Sequence, residues 1–431
     1  MSQLPIIVSS LIFLGVLVLI LTERVHRTTA AIVGAVIMVL VGIGMGFYSE
    51  TEAVASIDFP TLELLLGMMI LVALLEPTGF IEFLAIWVAK HSHGQPVRLL
   101  VLLGAVTTVT SMFLDNVTTV VLVAPVTILI CEIVGLNPRP YLIAEAVLSN
   151  TGGAATLVGD PPNVLIGSAA NLTFLDFLTY SLPVIAVCWL AALWVFVSLV
   201  RKELLSTERQ GVALDELNPW EALRDRKVAV KVLVTLALAV LFFFAEELIH
   251  LRPSLVAISA MALGLVWVKP DVSETLKRVP WDILLFFGAL FVMVGGLEHS
   301  GAMDMLAVWI EQLAQLPPVV TGLVLLWLVA ILSSIVDNVP ITIALIPVLL
   351  RLEADGMNVT PLWWALVFGA GLGGNGTIIG ATANVVVVSL SEKTRTPITP
   401  KLWLRRGLPV MLVTLVVASG LYALMWGVLL R

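Results

Sequence analysis

The feature that most constrains this chain is a pair of polar blocks within sequence that is otherwise apolar enough for a membrane. Residues 111–126 read SMFLDNVTTVVLVAPV, and residues 149–167 read SNTGGAATLVGDPPNVLIG. Charged and amide side chains at membrane depth are costly, and they usually mark a substrate or ion path. Gly-Gly and Pro-Pro indicate a broken helix, which is tolerated only where the freed backbone lines a cavity or is covered by protein. The two blocks therefore predict half of a transport site.

The same two blocks recur, in the same order, about half a chain downstream. Residues 333–348 read SSIVDNVPITIALIPV, and residues 373–385 read GGNGTIIGATANV. The paired positions are Asp115/Asp337, Asn116/Asn338, Gly152/Gly373, Gly153/Gly374, Thr156/Thr377 and Asn163/Asn384. Glycine- and proline-interrupted segments at corresponding places in two halves are the best sequence pointer to the binding site of a transporter. The second pair of blocks thus predicts the other half of the site.

Composition places these blocks in a membrane. Apolar residues make up 59% of the 431 residues, charged residues make up 12%, and the mean hydropathy is +1.07. Such values are typical of a polytopic helical membrane protein and exclude an ordinary soluble enzyme. The length allows about ten spans of about 20 residues each. Two isolated cysteines, five scattered histidines and the lack of a phosphate-binding loop motif predict no cofactor, no metal site and no enzymatic activity.

The apolar runs predict an all-α polytopic fold made of two inverted repeats. Residues 97–133 are too long for one crossing and divide at Asp115 into two short arms, which favours a re-entrant helical hairpin. Residues 318–350 repeat this hairpin, and a broken helix follows each hairpin. Each repeat also has about five transmembrane helices, so the halves run in opposite directions. The predicted units are a first repeat at 1–200, a cytoplasmic linker at 201–227 and a second repeat at 228–431.

The positions of the basic residues predict how this layout is oriented in the membrane. With the N-terminus outside and the linker cytoplasmic, all of the 23 Lys and Arg residues except Arg252, Arg351 and Arg431 fall on the cytoplasmic side. The positive-inside rule demands such a bias. We therefore predict a multi-pass protein of the inner (plasma) membrane, in contact with the lipid bilayer. The basic residues of the linker set topology in this interpretation, and no nucleic-acid partner is expected.

Inverted repeats bring the two hairpin tips together near the midplane of the membrane. The predicted substrate-binding residues are Asn116, Thr118, Thr119, Gly152, Gly153, Thr156, Asn163, Asn338, Gly373, Gly374, Thr377 and Asn384. The predicted proton-coupling residues are Asp115, Asp337 and Asp160. The four blocks hold no Lys or Arg, so we expect the site to suit a small polar solute or a hard cation better than a multiply charged anion.

The aspartates allow two interpretations. A carboxyl group deprived of water favours its protonated form, so Asp115, Asp160 or Asp337 would exchange a proton in the physiological range. Alternatively, Asp115 and Asp337 cap the second hairpin arms by accepting hydrogen bonds from backbone N–H groups, and they stay ionised. The Gly-Asp-Pro-Pro run at Asp160 also fits a simple turn and N-cap, and its repeat partner is Ala381. The sequence leaves both interpretations open.

The blocks DNVTTVVLVAPV and SNTGGAATLVGDPPNVLIG resemble those of the ArsB/NhaD group in the ion transporter superfamily. That group includes arsenite permeases, sodium/proton antiporters and the melanosomal P protein. The resemblance spans the full length, and the Gly-Asp-Pro-Pro-Asn run is more similar to the arsenical-pump and P-protein branch. It implies an elevator-like or rocking motion and export of arsenite and antimonite against inward proton flow. It also implies help from a cytoplasmic arsenite-stimulated ATPase, and the superfamily allows a homodimer.

The second repeat departs from this pattern. Pro340 replaces Thr118, and Ala381-Thr382-Ala383 replaces Asp160-Pro161-Pro162, so the polar chemistry is weighted to the first half. A sodium/proton antiporter and a transporter of a small anion are the alternative functions.

Cysteine content bears on the cargo. Trivalent arsenic binds thiolates tightly, and the chain has only Cys131 and Cys188, which are far apart in sequence. Arsenite is therefore expected to travel as neutral As(OH)3, hydrogen-bonded to Asn, Thr, Asp and backbone groups.

Overall fold

The computed structural model describes residues 3–22, 25–206, 218–245, 251–304 and 316–429. Within these ranges every regular element is helical, so the predicted all-α fold is confirmed. Residues 207–217, the central part of the predicted linker, lie outside the described residues, as do Arg24 and Arg431, which entered the charge argument.

The first half is built from eleven labelled helices. They are α1 (Leu4–Leu21), α2 (Arg27–Met45), α3 (Glu50–Ala55), α4 (Phe59–Leu75), α5 (Phe80–His91), α6 (Pro96–Ser111), α7 (Asn116–Val134), α8 (Arg139–Gly153), α9 (Pro161–Ala170), α10 (Phe174–Asp176) and α11 (Leu182–Ser206). A 3-10 turn at Glu76–Thr78 follows α4, and a π-helical turn at Phe177–Ser181 joins α10 to α11.

The described part of the second half repeats much of this order. Its helices are α12 (Pro219–Ala222), α13 (Arg226–Phe244), α14 (Pro253–Val268), α15 (Val272–Arg278), α16 (Trp281–Ser300), α17 (Pro318–Ile335), α18 (Asn338–Ala354), α19 (Thr360–Gly373), α20 (Thr382–Glu392) and α21 (Pro400–Leu429). The linker is therefore partly helical, because α11 continues to Ser206 and α13 already begins at Arg226.

Eight helical segments among the described residues are long and apolar enough to cross a membrane. They are Arg27–Met45, Phe59–Thr78, Asn116–Val134, Phe174–Leu205, Arg226–Phe244, Trp281–Ser300, Pro318–Ile335 and Pro400–Gly427. Shorter apolar helices cover Leu4–Ile20, Pro96–Ser111 and Pro253–Val268. The chain is thus a multi-pass membrane protein.

Both predicted hairpins are present, with α6 and α7 as the arms of the first and α17 and α18 as the arms of the second. The second arm of the first hairpin is longer than the sequence predicts, at 19 residues, and the first arm of the second hairpin has 18. The arm α7 runs on because it begins directly at Asn116 and ends only at Gly135, whose left-handed conformation (φ 74°) terminates the helix. Such arms approach the length of a full span.

Both predicted helix breaks are also present. In the first half α8 ends at Gly153 and α9 begins at Pro161. Proline suits the first turn of a helix because the N–H group that it lacks would have no intrahelical partner there. In the second half α19 ends at Gly373 and α20 begins at Thr382.

The helices pack in two groups. The scaffold bundle contains α1, α2, α4, α13, α14 and α16, in which α4 packs on α14 and α2 packs on α16. The core bundle contains both hairpins, both broken helices, α5, α11 and α21. Within it, the second arm of each hairpin packs on the broken helix of the other half: α7 contacts α20, and α18 contacts α9. This interlocking brings both tips to one place, and α4–α9 and α16–α18 contacts join the core to the scaffold.

Candidate functional site

Four helix N-termini of the core bundle converge on one small cavity where the core bundle meets the scaffold bundle. The N-cap residues of α7, α9, α18 and α20 are Asp115, Asp160, Asp337 and Ala381. Each helix N-terminus carries roughly half a positive charge, which favours negative groups nearby. Three of the four positions supply that negative group as an aspartate.

The cavity itself is small. Its volume is about 30 Å³, which is room for one or two water-sized groups. Its lining residues are Arg27, Met69, Asp115, Asn116, Val117, Asp160, Pro161, Ile283, Phe286, Phe287, Asp337, Asn338, Val339 and Thr382. All three predicted proton-coupling residues therefore face a common space, together with two of the predicted asparagines.

Asp115 has the geometry of an N-cap. One carboxylate oxygen accepts a hydrogen bond from the backbone N–H of Thr118 at 2.9 Å, and the other accepts one from the Thr118 hydroxyl group. Thr118 thus holds Asp115 in place rather than lining the cavity itself.

Asp337 is held differently. Its Oδ1 accepts a hydrogen bond from the backbone N–H of Val339 at 3.2 Å, which caps α18. Its Oδ2 accepts a hydrogen bond from the Thr382 hydroxyl group at 2.8 Å and lies 3.7 Å from Nη1 of Arg27. The second tip therefore contains an ion pair.

Asp160 lies between the two tips and does not cap its own helix. Its Oδ1 accepts a hydrogen bond from the Asn116 amide at 3.4 Å, and its Oδ2 accepts one from the Asn338 amide at 3.1 Å. The Asp160 side chain is buried, as are both asparagines. One carboxylate thus joins the two repeats at their centre.

An asparagine network lies behind this carboxylate. The Asn150 amide receives a hydrogen bond from Asn116 at 3.2 Å and donates to Asn375 at 3.0 Å and to Asn384 at 2.9 Å. Asn375 in turn donates to the Thr151 hydroxyl group at 3.1 Å. We did not predict Asn150 or Asn375, although both stand in the polar blocks. Their own repeat partners are Gly371 and Ala154, so the duplication did not mark them.

Four predicted binding residues brace the helix breaks instead of lining the cavity. The Asn163 amide donates to the carbonyl groups of Gly153 and Thr156 at 3.1 and 2.8 Å. The Asn384 amide makes the same pair of bonds, to Gly374 and Thr377, at 2.8 and 2.9 Å. The hydroxyl groups of Thr156 and Thr377 donate to the backbone carbonyl groups of Met112 and Ser334 in the neighbouring hairpin arms.

The predicted glycines serve close packing. A Cβ atom on Gly153 would lie 2.7 Å from the carbonyl oxygen of Gly159, and one on Gly374 would lie 2.9 Å from that of Gly380. A Cβ atom on Gly152 would clash with Thr108 in α6, and one on Gly373 would clash with the backbone of Ala330 in α17. These positions let the breaks fold tightly and the helices approach each other closely.

Thr119 is buried, and its hydroxyl group has no hydrogen-bond partner within the described residues.

Arg27 corrects the prediction that the site holds no basic residue. It is the first residue of α2 in the scaffold bundle, yet its Nη1 donates to the Thr382 hydroxyl group, and its guanidinium lies over the Phe286 ring at 5.5 Å. No local pattern marks this contact, because Arg27 is, by its neighbours in sequence, one more basic residue at the end of a span. Only the packing of α2 on α16 brings it to the tip.

Two larger cavities lie among the described residues, and one of them shares lining residues with the site. One, of about 340 Å³, is lined by Arg27, Asp282, Asp337 and Thr382 among others, so it reaches the second tip. The other, of about 360 Å³, is lined by the start of α4, the start of α14 with Arg252, and α9. These linings come from repeat-related segments. We call these two cavities the vestibules. Because the repeats are predicted to be inverted, we expect the two vestibules to open to opposite sides of the membrane.

A multi-pass helical chain with a buried polar centre between two duplicated hairpin tips, and with a larger cavity that reaches one tip, has the features of a membrane transporter. The comparison with known sequences gives the family. The pattern of the citrate transporter (CitMHS) family matches residues 17–369, and the chain belongs to this family. It is a transporter and not an enzyme.

Full-length relatives agree with this assignment. The chain is 39% identical to the 46 kDa membrane protein of Mycobacterium leprae over 422 residues, which cover 96% of this chain and 97% of that one. It is also 39% identical to the uncharacterized transporter Rv2684 of Mycobacterium tuberculosis, covering 99% of this chain and all of the other. The human P protein is 34% identical over 96% of this chain and 59% of its own length. The similarity to P protein is thereby confirmed.

A solved structure supports the fold. The YdaH transporter of Alcanivorax borkumensis, described as having an unusual topology, superimposes with a TM-score of 0.62 over 88% of each chain at 18% identity. At that identity the likeness concerns the fold alone.

Proposed function

We propose that the protein is a proton-coupled secondary transporter that exports arsenite and antimonite, with Asp160 as the central proton-carrying group. The observation that carries the proposal is the position of Asp160, whose carboxylate lies between amides from opposite halves. Transporters built from inverted repeats bind their substrate at the repeat interface, around which the two halves rock. A carboxylate at that interface is where proton and cargo would meet.

Asp160 suits proton exchange because its contacts are polar but uncharged. Among the described residues no basic side chain forms an ion pair with it, and its partners are two amide groups. Asp115 and Asp337 line the same cavity, so full ionisation would place three negative charges around about 30 Å³. Like charges at such a site disfavour full ionisation. A proton on Asp160 also turns an acceptor into a donor, so the hydrogen bonds offered to the cargo change with protonation.

The chemistry of the cavity, rather than its volume in this conformation, favours a small neutral cargo. Amide and carboxylate groups offer both donors and acceptors, which the three hydroxyl groups of As(OH)3 match. Cys131 and Cys188 are buried in the apolar packing and are not among the residues that line the cavity. Arsenite would therefore bind through hydrogen bonds rather than thiolates, and such binding suits a carrier that must release its cargo.

A small carboxylate anion is the second candidate cargo, and Arg27 is the observation that favours it. A guanidinium group matches a carboxylate with paired hydrogen bonds, and Arg27 lines both the cavity and the neighbouring vestibule. The family is named for citrate transport. A free tricarboxylate, however, would meet three aspartates and a cavity of about 30 Å³.

Transport into everted membrane vesicles tests the proposal. With the vesicle interior acidic, proton efflux should drive accumulation of arsenite, and dissipating the gradient should stop it. Sodium-induced collapse of the gradient and uptake of labelled citrate are measured in parallel. Arsenite accumulation without a sodium response is the expected result. A sodium response alone would transfer the protein to sodium/proton exchange, and citrate uptake alone would favour the carboxylate cargo; either would overturn arsenite export.

The remaining parts of the proposal concern place and partners. We place the transporter in the inner membrane, with the N-terminus outside and the linker on the cytoplasmic side. A cytoplasmic arsenite-stimulated ATPase and a homodimer belong to the proposal through resemblance alone. Vesicles that lack ATP separate the two energy sources, because proton-driven uptake persists there whether or not an ATPase partner exists.

A further inference from the structure

The two hairpin tips are equivalent by duplication but not in their electrostatics. At the first tip, Thr118 donates both its N–H and its hydroxyl group to Asp115. At the second tip, proline stands at the position of Thr118, so Asp337 receives neither bond from residue 340. Its Oδ2 is thereby left for other partners, and it accepts from Thr382.

The guanidinium group of Arg27 lies beside the same oxygen of Asp337. Its Nη1 lies 3.7 Å from Asp337 Oδ2 and donates to the Thr382 hydroxyl group, which itself donates to Asp337. The Phe286 ring lies under the guanidinium at 5.5 Å, a cation–π arrangement that further fixes the charge. The side chain of Arg27 is 25% exposed and that of Asp337 is 16% exposed. The pair is thus largely shielded from water.

The first tip has no such cation among the residues that the structure describes. The basic residue at the corresponding helix start is Arg252, immediately before α14, and it lines the other vestibule with Thr61 and Asn171. That lining does not include Asp115. Position 161, the partner of Thr382, is a proline in the first half and has no hydroxyl group to offer Asp115.

We propose that Arg27 is a tethered counter-ion: its guanidinium stands beside Asp337, where a free cation would otherwise bind at the second hairpin tip. In this way Arg27 determines which ions the transporter accepts. A guanidinium group remains charged in proteins, so the carboxylate of Asp337 already has a cation 3.7 Å away. No proton or sodium ion is then exchanged at that tip. Proton exchange is confined to Asp115 and Asp160, which have no basic partner in the described structure, and no sodium ion is bound in the wild-type protein. This inference rests on the proposed transport site, but not on its cargo.

The test measures cation binding to the purified protein without any cargo. Thermal unfolding in detergent is followed in sodium chloride and in choline chloride at equal ionic strength. A ligand that binds only the folded state raises the midpoint in proportion to the logarithm of its concentration. Arg27→Gln should gain a sodium-dependent rise of this kind, because it vacates the position next to Asp337. Wild type should show none, and the double variant R27Q/D337N should lose the gain.

Two single variants serve as matched controls. Arg27→Lys keeps a tethered cation and should remain insensitive to sodium. Arg252→Gln removes the arginine of the other vestibule and should also remain insensitive. A sodium response equal in R27Q and R252Q, a gain in R27Q that survives D337N, or no gain in R27Q would each overturn the proposal.

A second measurement covers the case in which R27Q is not recovered folded. Membranes that contain Arg27→Ala are extracted in sodium, in a low concentration of guanidinium, and in choline. The folded yield should rise in the first two salts, because a free cation replaces the missing one. Equal yields in all three would refute the tethered counter-ion. Since neither assay contains arsenite, a failure of arsenite transport leaves this result independent.

Discussion

The two hairpin tips, one in each half, show how a duplicated site can lose its symmetry while its backbone keeps it. Both tips begin a helix with Asp-Asn, and both aspartates cap that helix. Around them the chemistry differs: Asp115 is held by its own helix through Thr118, whereas Asp337 is held by Thr382 and Arg27 from elsewhere. The backbone depends on the N-cap and is retained, while the residues that hold the two aspartates have diverged.

The helix breaks show the same division of labour. Asn163 and Asn384 make identical pairs of bonds to the breaks of their own halves. The residues that begin the following helices are different, since Asp160 stands where the second half has Ala381. Asp160 then takes its second amide from Asn338 of the other half. The molecule therefore has one shared centre and not two equivalent sites.

The largest effect is expected from removing that centre. Asp160→Asn cannot carry a proton, so gradient-driven uptake of arsenite into everted vesicles should fall to background. Exchange of labelled for unlabelled arsenite should persist, because it needs no proton transfer. Asp58→Asn is the matched control: Asp58 caps α4 outside the cavity, and because asparagine caps a helix about as well as aspartate, the variant should keep both its stability and its coupling. Retained gradient-driven uptake in D160N would remove Asp160 from the mechanism.

A smaller effect is expected from removing one of the two amides on Asp160. Asn338→Ala removes one amide from the cavity lining, together with its hydrogen bond to the Asp160 carboxylate, which contributes about 1.5–3 kcal/mol to stability. Measured uptake should show a higher KM with the proton dependence kept. Asn137→Ala, which removes an amide-to-carboxylate hydrogen bond to Glu203 outside the cavity, is the control and should leave KM unchanged. An unchanged KM in N338A would mean that the second half contributes no binding at the centre.

Much of this arrangement was predictable from the sequence. The tips at Asp115 and Asp337 and the breaks between Gly153 and Pro161 follow from residues that act locally: an aspartate that starts a helix, glycines that end one, and prolines that suit a first turn. Such preferences are properties of a few neighbouring residues, so a single sequence displays them.

What the sequence could not show is the direction of each side chain. Asn163 and Asn384 are as polar as Asn116, yet their amides turn back onto the carbonyl groups of their own breaks. Arg27 meets Asp337 only because α2 packs on α16, a contact between distant parts of the chain. Long-range packing decides these contacts, and no local pattern records it.

The glycines of the two breaks offer a third comparison, measured by stability. In Gly153→Ala the new Cβ atom would lie 2.7 Å from a backbone carbonyl oxygen, against 2.9 Å in Gly374→Ala. Overpacking of this kind costs about 1–3 kcal/mol, with the larger loss expected for G153A. Gly44→Ala, where nothing lies within 4 Å, should not destabilise the protein. The midpoint of thermal unfolding should be lowest for G153A, higher for G374A and unchanged for G44A. Equal midpoints in the three variants would contradict the tight folding of the breaks.

The smallest effect is expected from Thr118→Val, which makes the first tip more like the second. The variant loses the hydroxyl bond to Asp115 but keeps the backbone N–H bond at 2.9 Å, so the cap persists. Because the retained N–H bond still serves the carboxylate, the loss should lie at the lower end of the range for a hydrogen bond to a carboxylate, about 1.5 kcal/mol, and the unfolding midpoint should fall slightly. Arsenite transport should keep its proton dependence, because Asp160 is untouched. If T118V instead shifts or abolishes that dependence, the Thr118 hydroxyl group takes part in proton movement, and Asp115 rather than Asp160 is the coupling residue.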